Sequence, residues 1–229
     1  MTQKNVLLVE GVADRDFFRE LCKTLDLSTE IQVAPPKDLG GTHNTKQGVL
    51  NHLRGVLLPQ IEDGQIQRLA IVVDADYAGA HGLGVAGTLN QIKEIVKPFG
   101  FELPENEIFP KGFCFKHSDG LSDFGAWIMP DNTNEGMLED WIKSCIVRSE
   151  QPLFGYAKEA VAGLSARSLQ KFKPIHSTKA EVATWLAWQR WPKYGIEYVF
   201  SKDELLVDKD SSLYQDLTNW LASIFKNNS

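Results

Sequence analysis

The sequence predicts an α/β fold: a central, mostly parallel sheet flanked by helices, followed by a C-terminal helical subdomain. Three observations predict it. Short, fully apolar, β-branched runs such as residues 6–9 and 69–73 have the profile of strands buried on both faces. Stretches with apolar residues at helical spacing separate them, and this alternation of strand and helix is the signature of a parallel sheet. After Trp141 the alternation stops and helical patterns take over.

Taken in order, residues 6–9 form the first strand, closed by Gly11. From Asp14 onward, Phe17, Phe18, Leu21, Cys22 and Leu25 recur at helical spacing, which gives an amphipathic helix. Residues 31–34 are a second strand, ended by Pro35 and Pro36. A loop, KDLGGTHNT, leads into a helix over 46–60. Residues 69–73 are a third strand closing on Asp74-Ala75-Asp76, and a glycine-rich loop then leads into a helix over 88–97. Residues 101–123 interrupt the pattern with Pro, Gly and short aromatic runs, an inserted hairpin or loop, before a fourth strand at 124–129. Helical patterns at 158–172, 178–191 and 212–225 complete the chain. The expected organisation is an α/β core over 1–148, with 101–123 inserted, and a helical appendage over 149–229.

With 229 residues, 43% hydrophobic and 24% charged, the chain can bury a core without staples, and disorder, collagen-like repeats and a disulfide scaffold are excluded. The net charge of −6 argues against binding nucleic acid by basicity alone. That sum hides a split. Residues 1–150 hold 14 Lys and Arg against 22 Asp and Glu, whereas 151–229 hold 10 against 8. Seven of those later cations fall between Lys158 and Lys193, beside only Glu159 and Glu181. Three scattered cysteines suggest neither disulfides nor a zinc knuckle. No secretory leader is expected, and no apolar run approaches the roughly 18 residues of a membrane span. The expectation is a reduced, cytoplasmic protein with no membrane partner.

Ligands bind at the carboxyl ends of strands in an open parallel sheet, where loops and helix N-termini converge. This sequence places acids there. The first strand ends in Glu10-Gly11, with Asp14 four residues beyond Glu10. The third ends in Asp74 and Asp76, at alternate positions and therefore facing alike if the segment is extended. The fourth is followed by Asp131 and then Glu139. Such a group repels itself unless protonated or metallated, and an all-oxygen set suits Mg²⁺ or Mn²⁺. Each acid alone has an ordinary explanation: Asp14 as a helix N-cap, Asp-x-Asp as a solvated turn, Glu139 as an exposed helix face. Their conjunction after separate apolar strands favours a site.

The segments VLLVEGVADRDFF and LAIVVDAD resemble the TOPRIM domain of topoisomerases, bacterial primases, certain ribonucleases and OLD-family nucleases, over roughly residues 4–145. Asp14 completes a Glu-Gly-x-x-Asp form similar to OLD-like members. WIMPDNTNEGMLEDW and KAEVATWLAWQRW resemble small stand-alone TOPRIM proteins near that branch. The resemblance implies a Rossmann-like core. It makes Glu10 the metal-proximal acid or general acid/base and Asp74 and Asp76 metal ligands. Asp14 and Glu139 would complete a second metal position, and Lys179 would reach the scissile phosphate. Thr178 to Glu181 also reads as a capping box, which would leave Lys179 a merely structural place.

The expected function is Mg²⁺- or Mn²⁺-dependent nuclease chemistry on DNA in preference to RNA, in phage defence or DNA repair. Lys171, Lys173, Lys179, Arg190 and Lys193 are candidates for holding the phosphate backbone. No Walker motif occurs, so any ATPase must be a separate subunit. A homodimer stays open. The alternatives are an RNA-processing TOPRIM ribonuclease and a non-catalytic binding or assembly module. Trp185, Trp188, Trp191 and Tyr194 interleave with Arg190 and Lys193, which suits base stacking, but their spacing of three and four better fits a helix face packed on the core.

Overall fold

The computed structural model describes residues 4–35, 45–80, 82–105, 111–192 and 195–226. Strand β1 (Lys4–Val9) leads into helix α1 (Val12–Thr24), strand β2 (Glu30–Val33), and a helix that starts as α2 (Lys46–His52), passes through a π turn at Leu53–Leu57 and ends as α3 (Leu58–Glu62). Strand β3 (Ile66–Asp74) and helix α4 (Gly84–Val96) follow. The 101–123 insertion supplies β4 (Phe101–Glu102) and β5 (Phe113–His117) ahead of β6 (Phe124–Met129). Then come α5 (Leu138–Cys145), α6 (Gln151–Ala166), α7 (Ser177–Ala187) and α8 (Ser212–Phe225).

The fold is α/β with one six-stranded mixed sheet in the order β2-β1-β3-β6-β5-β4, as the alternation of patterns predicts. The first four strands in that order run parallel. The insertion adds the two edge strands, with β5 antiparallel to β6 and β4 antiparallel to β5.

Strand composition explains the layering. All six residues of β6 are buried, as are the last four of β1. Because successive side chains point to opposite faces, one strand feeds two cores. Val6, Leu8, Ile71, Val73 and Ile128 face α2, α3 and α4. Leu7, Val9, Ala70, Val72 and Trp127 face α1, α5 and the helices after residue 150. The C-terminal helices thus cover one face of the sheet. Trp220 of α8 lies 5.5 Å from Trp127 between ring centroids, and a Cβ at Gly125 would meet Ile224 Cγ1 at 2.9 Å. That close approach requires glycine on β6 beneath α8.

The order of the strands sets the position of the site. From β1 the chain moves outward to β2, and from β3 it moves the opposite way to β6. The gap between the carboxyl ends of β1 and β3 is therefore a topological switch point, where an α/β sheet opens a crevice.

Truncating Trp220 to Ala should cost about 3–5 kcal/mol in urea unfolding, while Leu169→Ala, at a side chain 59% exposed, should stay within about 0.5 kcal/mol. Tryptophan fluorescence and far-UV circular dichroism should report one coincident transition.

Candidate functional site

Glu10 leaves β1 at the switch point and Asp74 ends the neighbouring β3. They are joined directly: the Asp74 backbone N–H donates to Glu10 Oε1 at 2.9 Å. Asp74 Oδ1 accepts from the Leu138 N–H at 3.1 Å, tying the start of α5 to the same crevice. Asp14 is not the N-cap of α1. Gly11 holds that position, and Asp14, in the first turn, reaches back so that Oδ2 accepts the Gly11 N–H at 3.0 Å. One oxygen of each of these three carboxylates is held by a backbone N–H.

Burial is the first cause that raises each of the three acids, and neighbouring carboxylates add to it. Burial pushes Glu10 up to about 7, aided by the charges of Asp14 and Asp76 and opposed by the Asp74 N–H and Lys46. Burial, with Glu139 adding to it and Lys179 opposing it, lifts Asp14 to about 6. Asp74 is pushed well above the ordinary carboxylate range, first by burial and then by Glu10 and Asp14. Desolvated like charges without enough counter-charge behave this way.

Two lysines supply part of that counter-charge. Lys179, on α7, donates to Glu139 Oε1 at 2.9 Å and Oε2 at 2.8 Å. Burial alone would lower its pKa; Glu139, with Asp74 and Asp14 behind it, outweighs that and leaves it raised. The Thr178–Glu181 capping box does not form. Helix α7 starts at Ser177 with His176 as its N-cap, and Glu181 Oε2 instead accepts from Lys143 at 3.2 Å. Lys179 is thereby presented toward α5.

The second lysine, Lys46, was missed by sequence reasoning. It opens α2, and its Nζ lies 2.6 Å from Asp76 Oδ2 with only 11% of the side chain exposed. Only its place just after Thr45, an N-cap whose hydroxyl accepts the Gly48 N–H at 3.0 Å, hinted at a fixed role. Asp76 itself adopts a left-handed backbone, φ +60°, and its N–H donates to Gly136 O at 3.0 Å. The segment is therefore not simply extended past Asp74. Gly82 presses on this turn, where a Cβ would come within 2.6 Å of Asp76 Cβ. Sequence reasoning also missed Tyr77, whose hydroxyl donates to Asp140 Oδ2 at 2.7 Å.

The structure thus brings together Glu10, Asp14, Asp74, Asp76, Glu139 and Lys179, and adds Lys46. Asp131 serves its own turn, accepting from Thr133 and Asn134. Lys171, Lys173 and Arg190 are exposed, and the Arg190 guanidinium lies 5.8 Å from the Trp191 ring centroid. Lys193 and Tyr194 lie outside the described residues. Trp185 is fully buried against Phe154, but Trp188 and Trp191 remain 45% and 46% exposed, so only the first follows the core-facing pattern.

Among the described residues no three His, Cys, Asp or Glu side chains form a ready-made cage for a metal ion. The donor chemistry nevertheless fits a hard divalent cation. Glu10, Asp14 and Asp74 offer carboxylate oxygens alone, and a cation would supply the counter-charge that their burial and their acidic neighbours leave wanting.

An acid whose folded pKa lies above its unfolded value loses stability for the fold as pH rises between the two. In chelator-treated buffer the unfolding free energy should therefore fall, by on the order of 2 kcal/mol, from about pH 4 to pH 7. Glu10→Gln should flatten that slope, measured by urea titration at each pH.

No curated protein and no solved structure matches this sequence. A family model described as "Protein of unknown function (DUF3226)" matches residues 4–226. The match spans nearly the whole chain, from the first residue of β1 to the residue after α8, and the chain belongs to the DUF3226 family.

Proposed function

We propose that this protein is a Mg²⁺- or Mn²⁺-dependent nuclease that hydrolyses phosphodiesters in DNA. The observation that carries the reading is the convergence of Glu10, Asp14 and Asp74 at the switch point, each raised first by burial, and flanked by two ammonium groups. The resemblance of VLLVEG and LAIVVDAD to TOPRIM motifs supports it, and the preference for DNA over RNA rests on the OLD-like form of the first motif.

Phosphoryl transfer demands charge neutralisation and alignment rather than covalent chemistry from the protein. A divalent cation held by Glu10, Asp74 and Asp14 would neutralise the phosphate and activate a water. The chain's own groups then divide the remaining work. Lys179 spends two of its three N–H protons on Glu139 and is 42% exposed. It can turn the third toward a phosphate oxygen. Lys171, Lys173 and Arg190 would engage the backbone further away. Any ATPase would be a separate subunit.

Glu10→Gln and Asp74→Asn should each lower Mn²⁺-dependent nicking of plasmid DNA by at least about 100-fold, and Lys179→Ala by about 10- to 100-fold. Parallel digestion of structured RNA distinguishes the ribonuclease reading. The absence of a ready-made cage among the described residues favours one rival, a non-catalytic module, and calorimetry with no Mn²⁺ heat would establish it over nuclease chemistry.

A further inference from the structure

The chain has six tryptophans, and they fall into two groups. Trp127, Trp141, Trp185 and Trp220 are completely buried, whereas Trp188 and Trp191, three residues apart, are 45% and 46% exposed. Both belong to the turn that ends α7, and that turn is anchored. The Trp188 N–H donates to Trp185 O and the Gln189 N–H to Leu186 O, each at 3.2 Å. Between the two exposed rings Gln189 is buried, and its Nε2 donates at 2.9 Å to Glu150 Oε2, which also accepts the Trp185 indole N–H at 3.0 Å. Glu150 is the N-cap of α6, so the turn is fixed to a neighbouring helix while its two rings remain exposed. Holding such large apolar rings in solvent forgoes the stabilisation that burial would give. A patch of this kind marks a binding surface.

Charge gives the class of partner. Arg190, inside the turn, lies 5.8 Å from the Trp191 ring centroid, a cation–π contact. Arg148, Lys158, Lys171 and Lys173, around α6 and the loop to α7, are exposed as well. None of these five cations forms an ion pair among the described residues. Residues 151–192 carry only two acids, Glu159 and Glu181, and Glu181 is already paired with Lys143 at 3.2 Å. Uncompensated positive charge on the helix pair that displays two aromatic faces suits a polyanion with planar, apolar groups of its own. An unpaired nucleic-acid strand has both, whereas in a duplex the base faces are covered by neighbouring pairs.

We propose that the Trp188–Trp191 turn stacks on the bases of a single DNA strand, with Arg190 on a phosphate of that strand. The substrate would then reach the crevice as single strand or as a duplex with an unpaired tail, a step that rests on the nuclease reading above. The position of the turn suits it, because Trp188 caps the helix that presents Lys179 to Glu139. The nine residues from Lys179 to Trp188 correspond to about 14 Å along a helix axis, or about four nucleotides of stacked strand.

Fluorescence anisotropy of a labelled oligodeoxythymidylate of about 12 nucleotides, titrated with the full chain in chelator so that nothing is cut, tests the turn by itself. The parent should bind it more tightly than a duplex of equal length. Trp188→Ala and Trp191→Ala, with parent-like circular dichroism, should each weaken binding about 5- to 100-fold, and Trp188→Phe should retain most of it. Arg190→Ala should reduce the salt slope by about one. Equal affinity of the parent and both alanine variants, or no binding by the parent, would overturn the proposal. So would a dimer of the parent that either alanine variant dissolves, since a second copy would then cover the rings. Should a variant fail to fold, acrylamide quenching of the parent decides: bound strand should shield the exposed tryptophans, and unchanged quenching sinks the proposal. Mn²⁺-dependent nicking, measured in parallel, keeps the two readings apart. A parent that binds strand but cuts no DNA loses the nuclease reading and keeps the turn. One that cuts while its folded alanine variants bind unchanged loses the turn alone.

Discussion

The hydrogen bond from the Asp74 N–H to Glu10 Oε1 spans the two strand ends at which the sheet changes direction. Everything around the crevice is organised by the problem that bond creates. It holds one carboxylate against the backbone of the residue that carries another, in a half-buried crevice. Burial and repulsion then lift both acids, and the neighbouring elements are arranged to limit that cost. Helix α1 contributes Gly11 to hold Asp14, α5 contributes the Leu138 N–H to hold Asp74, and α2 and α7 contribute one ammonium each.

The lysines differ in kind. Lys46 is enclosed, with three internal acceptors, whereas Lys179 sits at the crevice edge with two. A buried ammonium fixes geometry and charge, and an edge ammonium can exchange partners. In a site for phosphoryl transfer, the first suits holding a carboxylate in an unusual backbone conformation and the second suits meeting an anionic substrate. The left-handed Asp76 turn, pinned by Gly136 O and crowded by Gly82, gives the enclosed lysine a rigid partner.

The helices after residue 150 belong to the same physical argument. Helix α8 packs Trp220 against Trp127, and α7 buries Trp185 while presenting Lys179 to Glu139. Covering one face of the sheet and delivering a charge to its carboxyl edge are done by one set of helices. A loss of packing there would therefore also disturb the charge balance of the crevice.

Much of this was legible in the chain itself. The two-sided apolar strands at 6–9, 69–73 and 124–129 fixed an α/β core, because only a sheet covered on both faces needs such runs. Acids placed directly after those strands had to fall on one rim, which is why Glu10, Asp14, Asp74 and Asp76 could be named together. The insertion at 101–123 was recognisable by its broken periodicity as a hairpin or loop; the structure forms the antiparallel pair, and its place at the sheet edge beside β6 was not legible. What only the tertiary structure decided were the partners of the charges. Lys46 lies 30 residues from Asp76 and Lys179 lies 40 from Glu139, and no local pattern encodes such pairs. Strand and helix are fixed by near-neighbour periodicity, but an ion pair depends on where two separately formed elements come to rest. The left-handed turn at Asp76 escaped notice for the same reason, since it is held by Gly136, Gly82 and Lys46 rather than by its own sequence.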